Sequence, residues 1–235
     1  MLGTGLYTPS EAAVLLHQPV RTVRRWAYGY ERHRAAGVVR HPPLIRTELP
    51  RVEGQNALTF VELIELLYIR AFQQAGIGWK VIRDAAAVAA RMFASEHPFA
   101  LRQLYADPGA IYAGLDEQDG GRSLIQLSGH GQQLLPALVR PYLHQLAFEV
   151  DDVASRWWPM GKRGGVVVDP RFSFGAPIVE DVGIRAETLI ETFRAELPQY
   201  REQAVDHVAW MFNVKPGHVE SALRFEAWLA APGSN

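Results

Sequence analysis

The chain has no cysteine among its 235 residues, and this absence excludes disulfide bonds, thiolate metal ligands and cysteine nucleophiles. No run of about 18 apolar residues occurs, so the sequence predicts no membrane span. The first residues, MLGTGLYTPSEAA, contain neither the basic nor the apolar segment that a signal peptide needs. Together these absences favour a protein of the reducing cytoplasm.

What the chain does contain is typical of a folded globular protein. Hydrophobic residues make up 48% and charged residues 21% of the sequence, which excludes disorder as the main state. The length predicts one large domain or two smaller ones.

Charge is distributed unevenly, although the net charge of the whole chain is only −1. Residues 1–51 contain eight Arg and three Glu, a net charge of +5, and the remainder contains 16 basic and 22 acidic residues, a net charge of −6. A basic N-terminal segment indicates an anionic partner, with nucleic acid as the first candidate. The alternative is a solvated surface on which the arginines cluster by chance.

Two short helices are predicted near the N terminus. Thr8 or Ser10 is a candidate N-cap for a helix over residues 8–16, and Pro9 suits its first turn. After a break, a proline opens a second helix over residues 19–28. Two helices joined by a turn of three or four residues form a helix-turn-helix unit.

The second helix has a polar face that suits DNA. Val20 and Val23 mark its buried side, and the face opposite them carries three arginines and no acid. Arginines on such a face can contact phosphates, and some can reach guanine edges in the major groove. The predicted DNA-contacting residues of this helix are Arg21, Thr22, Arg24, Arg25 and Tyr28.

The following segment, residues 29–56, is rich in Arg, His, Pro and Gly. Within it, LIRTEL at residues 44–49 predicts one strand of a hairpin beside the two helices, in the position of a wing. Arg40, Arg46 and Arg51 are then candidates for contacts with the DNA backbone.

Residues 58–94 predict two further helices. Thr59 is a candidate N-cap for a helix over residues 60–75, and a Gly-Ile-Gly break separates it from a helix over residues 79–93. This order of elements, with YTPSEAAVLL, RTVRRW and LTFVELIELLYIRAFQQAGIGWKVIRDA, resembles the DNA-binding domain of MerR-type regulators. The resemblance implies a winged helix-turn-helix DNA-binding domain over residues 1–95.

Residues 96–160 predict a small α+β middle region, which is a candidate for dimerisation. Phe99–Ala106 and Ile111–Ala113 lie on either side of an Asp-Pro-Gly turn and predict a hairpin, to which Leu124–Leu127 adds a third strand.

The end of the middle region is less regular. Gln132–Phe148 has the apolar spacing of an amphipathic helix, with a kink or a split expected at Pro136 and Pro141. The Gly-rich residues 161–165 then predict a flexible hinge.

The C-terminal part predicts a strand at Val166–Val168 and helices over residues 186–197, 200–212 and 216–229, the first of them ended by Pro198. Its sequence, VVVDPRFSFGAPIVEDVGIRAETLIETF and then QAVDHVAWMFNVKPGHVESALRFEAWLA, resembles the domain of unknown function family numbered 433. The matching residues are Asp169, Pro170, Gly175, Pro177, Ile184, Val205, Ala209, Phe212, Val219, Ala222, Leu223 and Phe225. That family has Gly-Thr-Arg where this chain has Asp-Val-Gly before Ile184, so no role tied to that Arg carries over.

The fold class expected is therefore mainly α with small β elements. A winged helix-turn-helix is followed by the small α+β middle region and by a C-terminal helical, helix-turn-helix-like domain over residues 161–235. The combination of the two terminal domains resembles a set of VapB-type antitoxins. This resemblance implies a partner, a PIN-like ribonuclease toxin encoded beside the antitoxin, and an operator DNA through which the operon is autoregulated.

Toxin binding is expected in the C-terminal domain, because an inhibitor can cover the basic residues of a nuclease with acids or place apolar groups across its entrance. The candidate contacts near the Gly-Ala-Pro turn are Phe172, Phe174, Glu180, Asp181, Glu187 and Glu191. The alternative is that both Phe side chains belong to the core and that the acids cap the helix that follows.

No motif indicates an enzyme. The eight His residues have no metal-ligand spacing, and the adjacent acids Asp151-Asp152 and Glu180-Asp181 have no neighbouring His, so we expect no catalytic residue, no metal and no cofactor.

The aromatic residues allow two interpretations. Trp157, Trp158, Phe172 and Phe174 are core residues by default, and a partner surface is the alternative. For Trp26, Trp79, Trp210 and Trp228 helical spacing favours the core.

Two function classes remain open at this point. The first is a DNA-binding antitoxin, and the second is a one-component MerR-like transcriptional regulator whose body senses a small molecule in an apolar pocket. A weaker third option is a pure dimerisation or scaffold protein. A homodimer is expected in either case, because operators of helix-turn-helix proteins are usually two-fold. Its interface is expected on the helices of residues 58–94 or on the middle region.

Overall fold

The structure is a computed structural model that describes residues 4–34, 37–49, 56–101, 104–107, 110–116, 122–127, 145–149 and 152–231. The described chain is mainly helical with small antiparallel sheets, which confirms the expected fold class. It forms two compact units. Among the described residues, those within 7–143 and 148–154 form the N-terminal unit, and those within 1–6, 144–147 and 155–234 form the C-terminal unit. None of the described helices is long and apolar enough to cross a membrane.

The two helices of the helix-turn-helix in the N-terminal unit lie within one residue of the predicted bounds. α1 covers Pro9–Leu15 and α2 covers Val20–Tyr28. Thr8 caps α1 in a capping box, in which its Oγ1 accepts from the Glu11 N–H at 3.2 Å and the Glu11 carboxylate accepts from the Thr8 N–H at 2.7 Å. The first helix therefore starts where local side-chain hydrogen bonds dictate.

A wing follows α2 immediately, in a different segment from the one predicted. β1 (Tyr30–Arg34) and β2 (Gly37–His41) pair antiparallel. Gly29 makes this early reversal possible, because its φ is +71° and an added Cβ would lie 2.5 Å from the His41 carbonyl oxygen.

The prediction of a strand over residues 44–49 is wrong. The Leu44 N–H donates to the Trp26 carbonyl at 2.7 Å, and Ile45 is buried. The apolar residues of this segment therefore pack against the helices, and the segment is irregular instead of pairing in a sheet. We refer to residues 44–49 as the return strap.

The next two helices match their predicted positions. α3 covers Phe60–Gln74 and α4 covers Trp79–Met92. A second capping box starts α3, with Thr59 as N-cap and Glu62 as its partner. α3 is buried along most of its length and forms the centre of the N-terminal unit.

The three-stranded sheet of the middle region is antiparallel with strand order β3-β4-β5, as the predicted hairpin and third strand imply. The strands are β3 (Leu104–Asp107), β4 (Ala110–Asp116) and β5 (Arg122–Gln126). Phe99 lies before the sheet, in a short 3-10 helix over Pro98–Ala100.

The predicted helix Gln132–Phe148 lies largely outside the described residues, and its described end is not helical. Leu146–Phe148 forms β6, which pairs with β7 (Ala154–Trp157) in a two-stranded sheet. Backbone pairing with a later segment overrides the helical spacing of the apolar side chains here.

The C-terminal unit combines a small sheet with three helices. β8 (Val166–Val167), β9 (Ile178–Val179) and β10 (Ile184–Arg185) are antiparallel in the order β10-β9-β8. The helices are α5 (Ala186–Tyr200), α6 (Ala204–Met211) and α7 (Pro216–Ala230).

Two further predictions for this unit are wrong. α5 continues through Pro198 to Tyr200, because a proline in the last turn removes only one donor from the helix. The Gly-rich segment is not a hinge, since Lys162–Gly164 forms a 3-10 helix and an added Cβ on Gly165 would lie 2.9 Å from the Ser221 hydroxyl.

The tryptophans divide differently from the prediction. Trp26 is buried, but Trp79 and Trp210 are 40% and 76% exposed, so for these two the predicted core position is wrong. Trp157 and Trp158 are buried, and Trp158 packs with Val167 and Ile178. Helical spacing shows which residues share a face, but it does not show whether another element covers that face.

Candidate functional site

The exposed face of α2 consists of arginines. Val23, Trp26 and Ala27 fix the opposite face in the core of the N-terminal unit. Arg21 and Arg24 are exposed, and within the described part of the chain neither pairs with a carboxylate. Since α2 itself contains no acid, it presents uncompensated positive charge along one face.

Arg25 connects this face to the wing. Its guanidinium lies 4.7 Å from the centre of the Tyr30 ring, and Tyr30 stacks on His41 across the two strands at 4.3 Å. The stack holds the wing against the end of α2, so helix and wing present a continuous basic surface.

Two other predicted contacts on α2 are less accessible. Thr22 is half-buried. Tyr28, predicted on the exposed face, is also half-buried, and its hydroxyl donates to the Ala57 carbonyl at 3.2 Å. Burial, together with the nearby Glu62 carboxylate, raises the pKa of Tyr28 to about 12. The hydroxyl of Tyr28 therefore contributes to the fold.

The register of the wing separates its basic residues onto two faces. Glu31 lies opposite Arg40 and forms an ion pair with it at 2.8 Å. Arg32 lies opposite Val39 and, because side chains alternate along a strand, shares a face with Tyr30. The predicted contact Arg40 and the residue Arg32, which the sequence did not single out, therefore lie on opposite faces of the wing. The alternation of side chains along YERHR shows which residues share a face only once the position of the hairpin is known.

Arg46 is not on the wing. It lies on the return strap after β2, where it is exposed and forms an ion pair with Glu96. Its charge is compensated locally, so its predicted DNA contact is less favoured than those of the α2 arginines. Arg51 lies outside the described residues.

A partly buried acid–imidazole cluster holds the return strap in place. His97 bridges two carboxylates, with Nδ1 2.9 Å from Glu65 and Nε2 2.8 Å from Glu48. Glu65 also accepts from the Phe99 N–H at 3.2 Å, and Glu62 accepts from the Glu48 N–H at 2.6 Å. The cluster therefore joins the strap that follows the wing to α3 and to the segment after α4.

Opposing influences set the protonation of this cluster. Burial lowers the pKa of His97, but the hydrogen bonds and charges of Glu65 and Glu48 outweigh it and raise that pKa to about 9. Burial raises the pKa of Glu65, and the His97 imidazolium counteracts that rise. His97 therefore acts as a cation that compensates the acids around it at neutral pH.

In the C-terminal unit, a strained loop displays the two predicted phenylalanines. Phe172 and Phe174 are 54% and 65% exposed, so they are not core residues. Ser173 and Phe174 both have left-handed backbone, with φ of 47° and 56°. Arg171 fixes the start of the loop through two hydrogen bonds, of 2.9 and 2.7 Å, to the buried Asp169 carboxylate. A strained non-glycine backbone that persists in this way often marks a functional site.

The four predicted acids differ in availability. Glu180 accepts from the Trp158 indole N–H at 2.6 Å and lies 3.8 Å from Arg156, so its carboxylate is engaged within the unit. The remaining three, Asp181, Glu187 and Glu191, are exposed, although Asp181 lies 3.7 Å from His218 and Glu187 lies 3.6 Å from Arg185. No described cluster of three or more His, Asp or Glu side chains is suited to hold a metal ion.

Comparison with known proteins shows the family to which the chain belongs. Residues 5–86 match the family described as "Putative DNA-binding HTH domain". A protein of Mycobacterium tuberculosis named "Putative antitoxin VapB45" is 32% identical over 201 residues, covering 81% of this chain and 83% of its own. The chain belongs to the VapB45 family.

A solved structure shares the fold of the chain. The X-ray crystal structure of Rv2018 from Mycobacterium tuberculosis superposes with a TM-score of 0.62 at 23% identity and covers 92% of this chain and 96% of that one. The family match over residues 5–86 confirms the predicted helix-turn-helix unit of this chain. The MerR-type resemblance and the resemblance to family 433 stay predictions.

Proposed function

We propose that this member of the VapB45 family is the antitoxin of a type II toxin–antitoxin pair. In this proposal it binds and neutralises a PIN-like ribonuclease toxin and represses its own operon by binding operator DNA. The exposed, acid-free arginine face of α2 within the matched helix-turn-helix family carries the DNA part. The antitoxin name of the relative supports the toxin part. The protein is accordingly a regulator and not an enzyme.

The geometry of the N-terminal unit suits the major groove. The groove of B-DNA admits one helix, and the arginines along α2 can contact phosphates on its walls or guanine edges on its floor. The wing extends the same surface through Arg25 and Tyr30. One such head makes few base contacts, so we propose a homodimer on a two-fold operator.

The wing face gives a prediction about Arg32. Arg32→Gln is expected to weaken operator binding about fivefold and to lower the slope of log K against log salt by about 0.9, because one phosphate contact is lost. Arg40→Gln is the matched control, since the Arg40 charge is already compensated by Glu31. Fluorescence anisotropy with the promoter DNA at two salt concentrations measures both. A larger effect of Arg40→Gln would assign the opposite face of the wing to DNA.

The C-terminal unit is the proposed toxin-binding part. A ribonuclease that binds RNA phosphates needs basic residues, and exposed acids can pair with them. The proposed contacts are Phe172 and Phe174 on the strained loop, with Asp181, Glu187 and Glu191 as the acids and Glu180 as a support that holds the Trp158 side chain in place. The three-part division at residues 95 and 160 stays a prediction.

The strained loop allows binding to be separated from folding. Phe174→Gly is expected to leave the melting temperature unchanged or slightly higher, because glycine adopts a φ of 56° without strain. It is also expected to weaken toxin binding at least about tenfold, because an exposed aromatic anchor is lost. Ser173→Gly relieves the neighbouring strain and keeps both rings, so it should bind like the wild type. Equal binding by all three proteins would remove Phe174 from the interface.

Co-expression tests the proposal as a whole. The ribonuclease encoded beside this gene should stop growth when expressed alone, and the full chain should restore growth and co-purify with it. A neighbouring product that does not bind the chain, combined with specific promoter binding by the chain, would favour the one-component regulator.

A further inference from the structure

The corner between α5 and α6 carries a stack of three rings. Tyr200, the last residue of α5, stacks on His207 with ring centres 3.6 Å apart and planes within 13°. His207 in turn stacks on Trp210, with centres 5.7 Å apart and planes within 27°. We refer to Tyr200, His207 and Trp210 as the aromatic ladder.

The ladder is held in place by its surroundings. Arg201 leaves α5 with a φ of 49°, a strained conformation that turns the chain sharply into α6. On α6, Ala204 and Val208 are buried in the C-terminal unit. The Glu196 carboxylate lies 3.4 Å from His207 Nε2 and braces the middle ring. A partner would therefore meet a preorganised surface, which reduces the entropy lost on binding.

At the Trp210 end of the ladder, apolar side chains are exposed to solvent. Trp210 is the most exposed of the large hydrophobic residues described. Met211, the next residue in the sequence, and Leu197 on α5 are also exposed. Tryptophan is among the residues most enriched at the energetic centres of protein interfaces. A preorganised tryptophan left in solvent is therefore the strongest unassigned feature of the unit.

Charge around the ladder indicates what covers it. Glu202 and Asp206 are exposed and lie in or beside the corner, whereas Glu196 is engaged with His207 and Arg194, a nearby base, forms an ion pair with Glu226. The rim is therefore acidic apart from Arg201. A second copy related by a two-fold axis would bring these acids against themselves, which is unfavourable. A partner with basic residues around an apolar pocket is complementary.

We infer that the aromatic ladder is an anchor for the ribonuclease toxin, with Trp210 entering an apolar pocket and the acidic rim facing basic residues of the RNA-binding surface. This inference rests on the proposed function. It adds a second toxin-facing surface to the loop of Phe172 and Phe174, and its central residue, Trp210, is one for which helical spacing favours the core.

Affinity measurements on the full chain test the inference. Trp210→Ala is expected to weaken binding of the purified neighbouring ribonuclease about 30-fold, the loss typical of an interface hot spot, and Trp210→Phe to restore most of it. Glu202→Gln with Asp206→Asn should slow association and reduce its salt dependence. Trp79→Ala replaces another exposed tryptophan, in the N-terminal unit, and should bind like the wild type.

The outcomes separate the inference from the function on which it rests. If the wild type does not bind the ribonuclease, the proposed function fails and the inference with it. If the wild type binds and folded Trp210→Ala binds equally well, the inference alone is wrong. Light scattering tests the alternative that a second copy of the chain covers the ladder. A dimer that Trp210→Ala converts to a monomer, with unchanged toxin affinity, would assign the ladder to self-association and overturn the inference.

Discussion

Replacing Arg21 and Arg24 together by alanine is expected to weaken operator binding about 100-fold at moderate salt. Each Arg that contacts DNA contributes about 1–3 kcal/mol when it reads a base, and each phosphate contact contributes about one unit of salt slope. Both side chains are exposed and unpaired within the described chain, so their full charge is available to DNA. The salt slope should therefore fall by up to about two units.

The control for this pair removes the same charge elsewhere. Arg91 and Arg163 are exposed and lie outside the basic surface of α2 and the wing, so their double alanine variant should keep most of the wild-type affinity. Gel-shift titrations at two salt concentrations compare the two variants, and thermal melting confirms that both fold. Equal losses in both would show that net charge, and not the face of α2, governs binding.

Replacing His97 by alanine is expected to cost about 3 kcal/mol of folding free energy at pH 7. Glu65 is buried, and its only described charge partner is the His97 imidazolium at 2.9 Å. Breaking a buried pair by removing one partner typically costs about 3–5 kcal/mol, a large share of the stability of a domain. The melting temperature should fall by several degrees, whereas His33→Ala, at an exposed position on the wing, should change little.

The same residue predicts a pH dependence with a definite sign. The pKa of His97 is raised from 6.5 to about 9 in the folded protein, so its contribution is complete below pH 6.5 and is lost as the pH rises through 9. That shift corresponds to on the order of 3 kcal/mol. The stability difference between wild type and His97→Ala should therefore narrow between pH 6.5 and 9.5. A constant difference across this range in denaturant melts would show that His97 does not stabilise the fold through its charge.

The helices of the N-terminal unit are predictable because their signals are local. Thr8 with Glu11 and Thr59 with Glu62 lie three residues apart, so each capping box can be identified in the sequence before any packing is known. The wing has no such local signal in the sequence. Its strands are polar, and an apolar segment that follows them has a stronger strand signal, although it packs as the return strap.

The features that the sequence does not reveal all depend on tertiary placement. His97 meets Glu65 across 32 residues and Glu48 across 49, and no spacing rule connects them. Trp210 has the helical spacing of a core residue but is 76% exposed, because spacing alone does not show whether another element covers a face. The Gly-Ala-Pro motif predicts the two exposed phenylalanines as candidates, but the backbone strain at Ser173 and Phe174 is a property of the folded chain.

Titration of the purified neighbouring ribonuclease with the full-length chain tests the central claim most directly. The assay follows cleavage of RNA while the chain is added in increasing amounts, with and without promoter DNA. The account predicts that cleavage stops at a fixed molar ratio and that the resulting complex still binds the promoter. Undiminished cleavage at a large excess of folded, DNA-binding chain would contradict it.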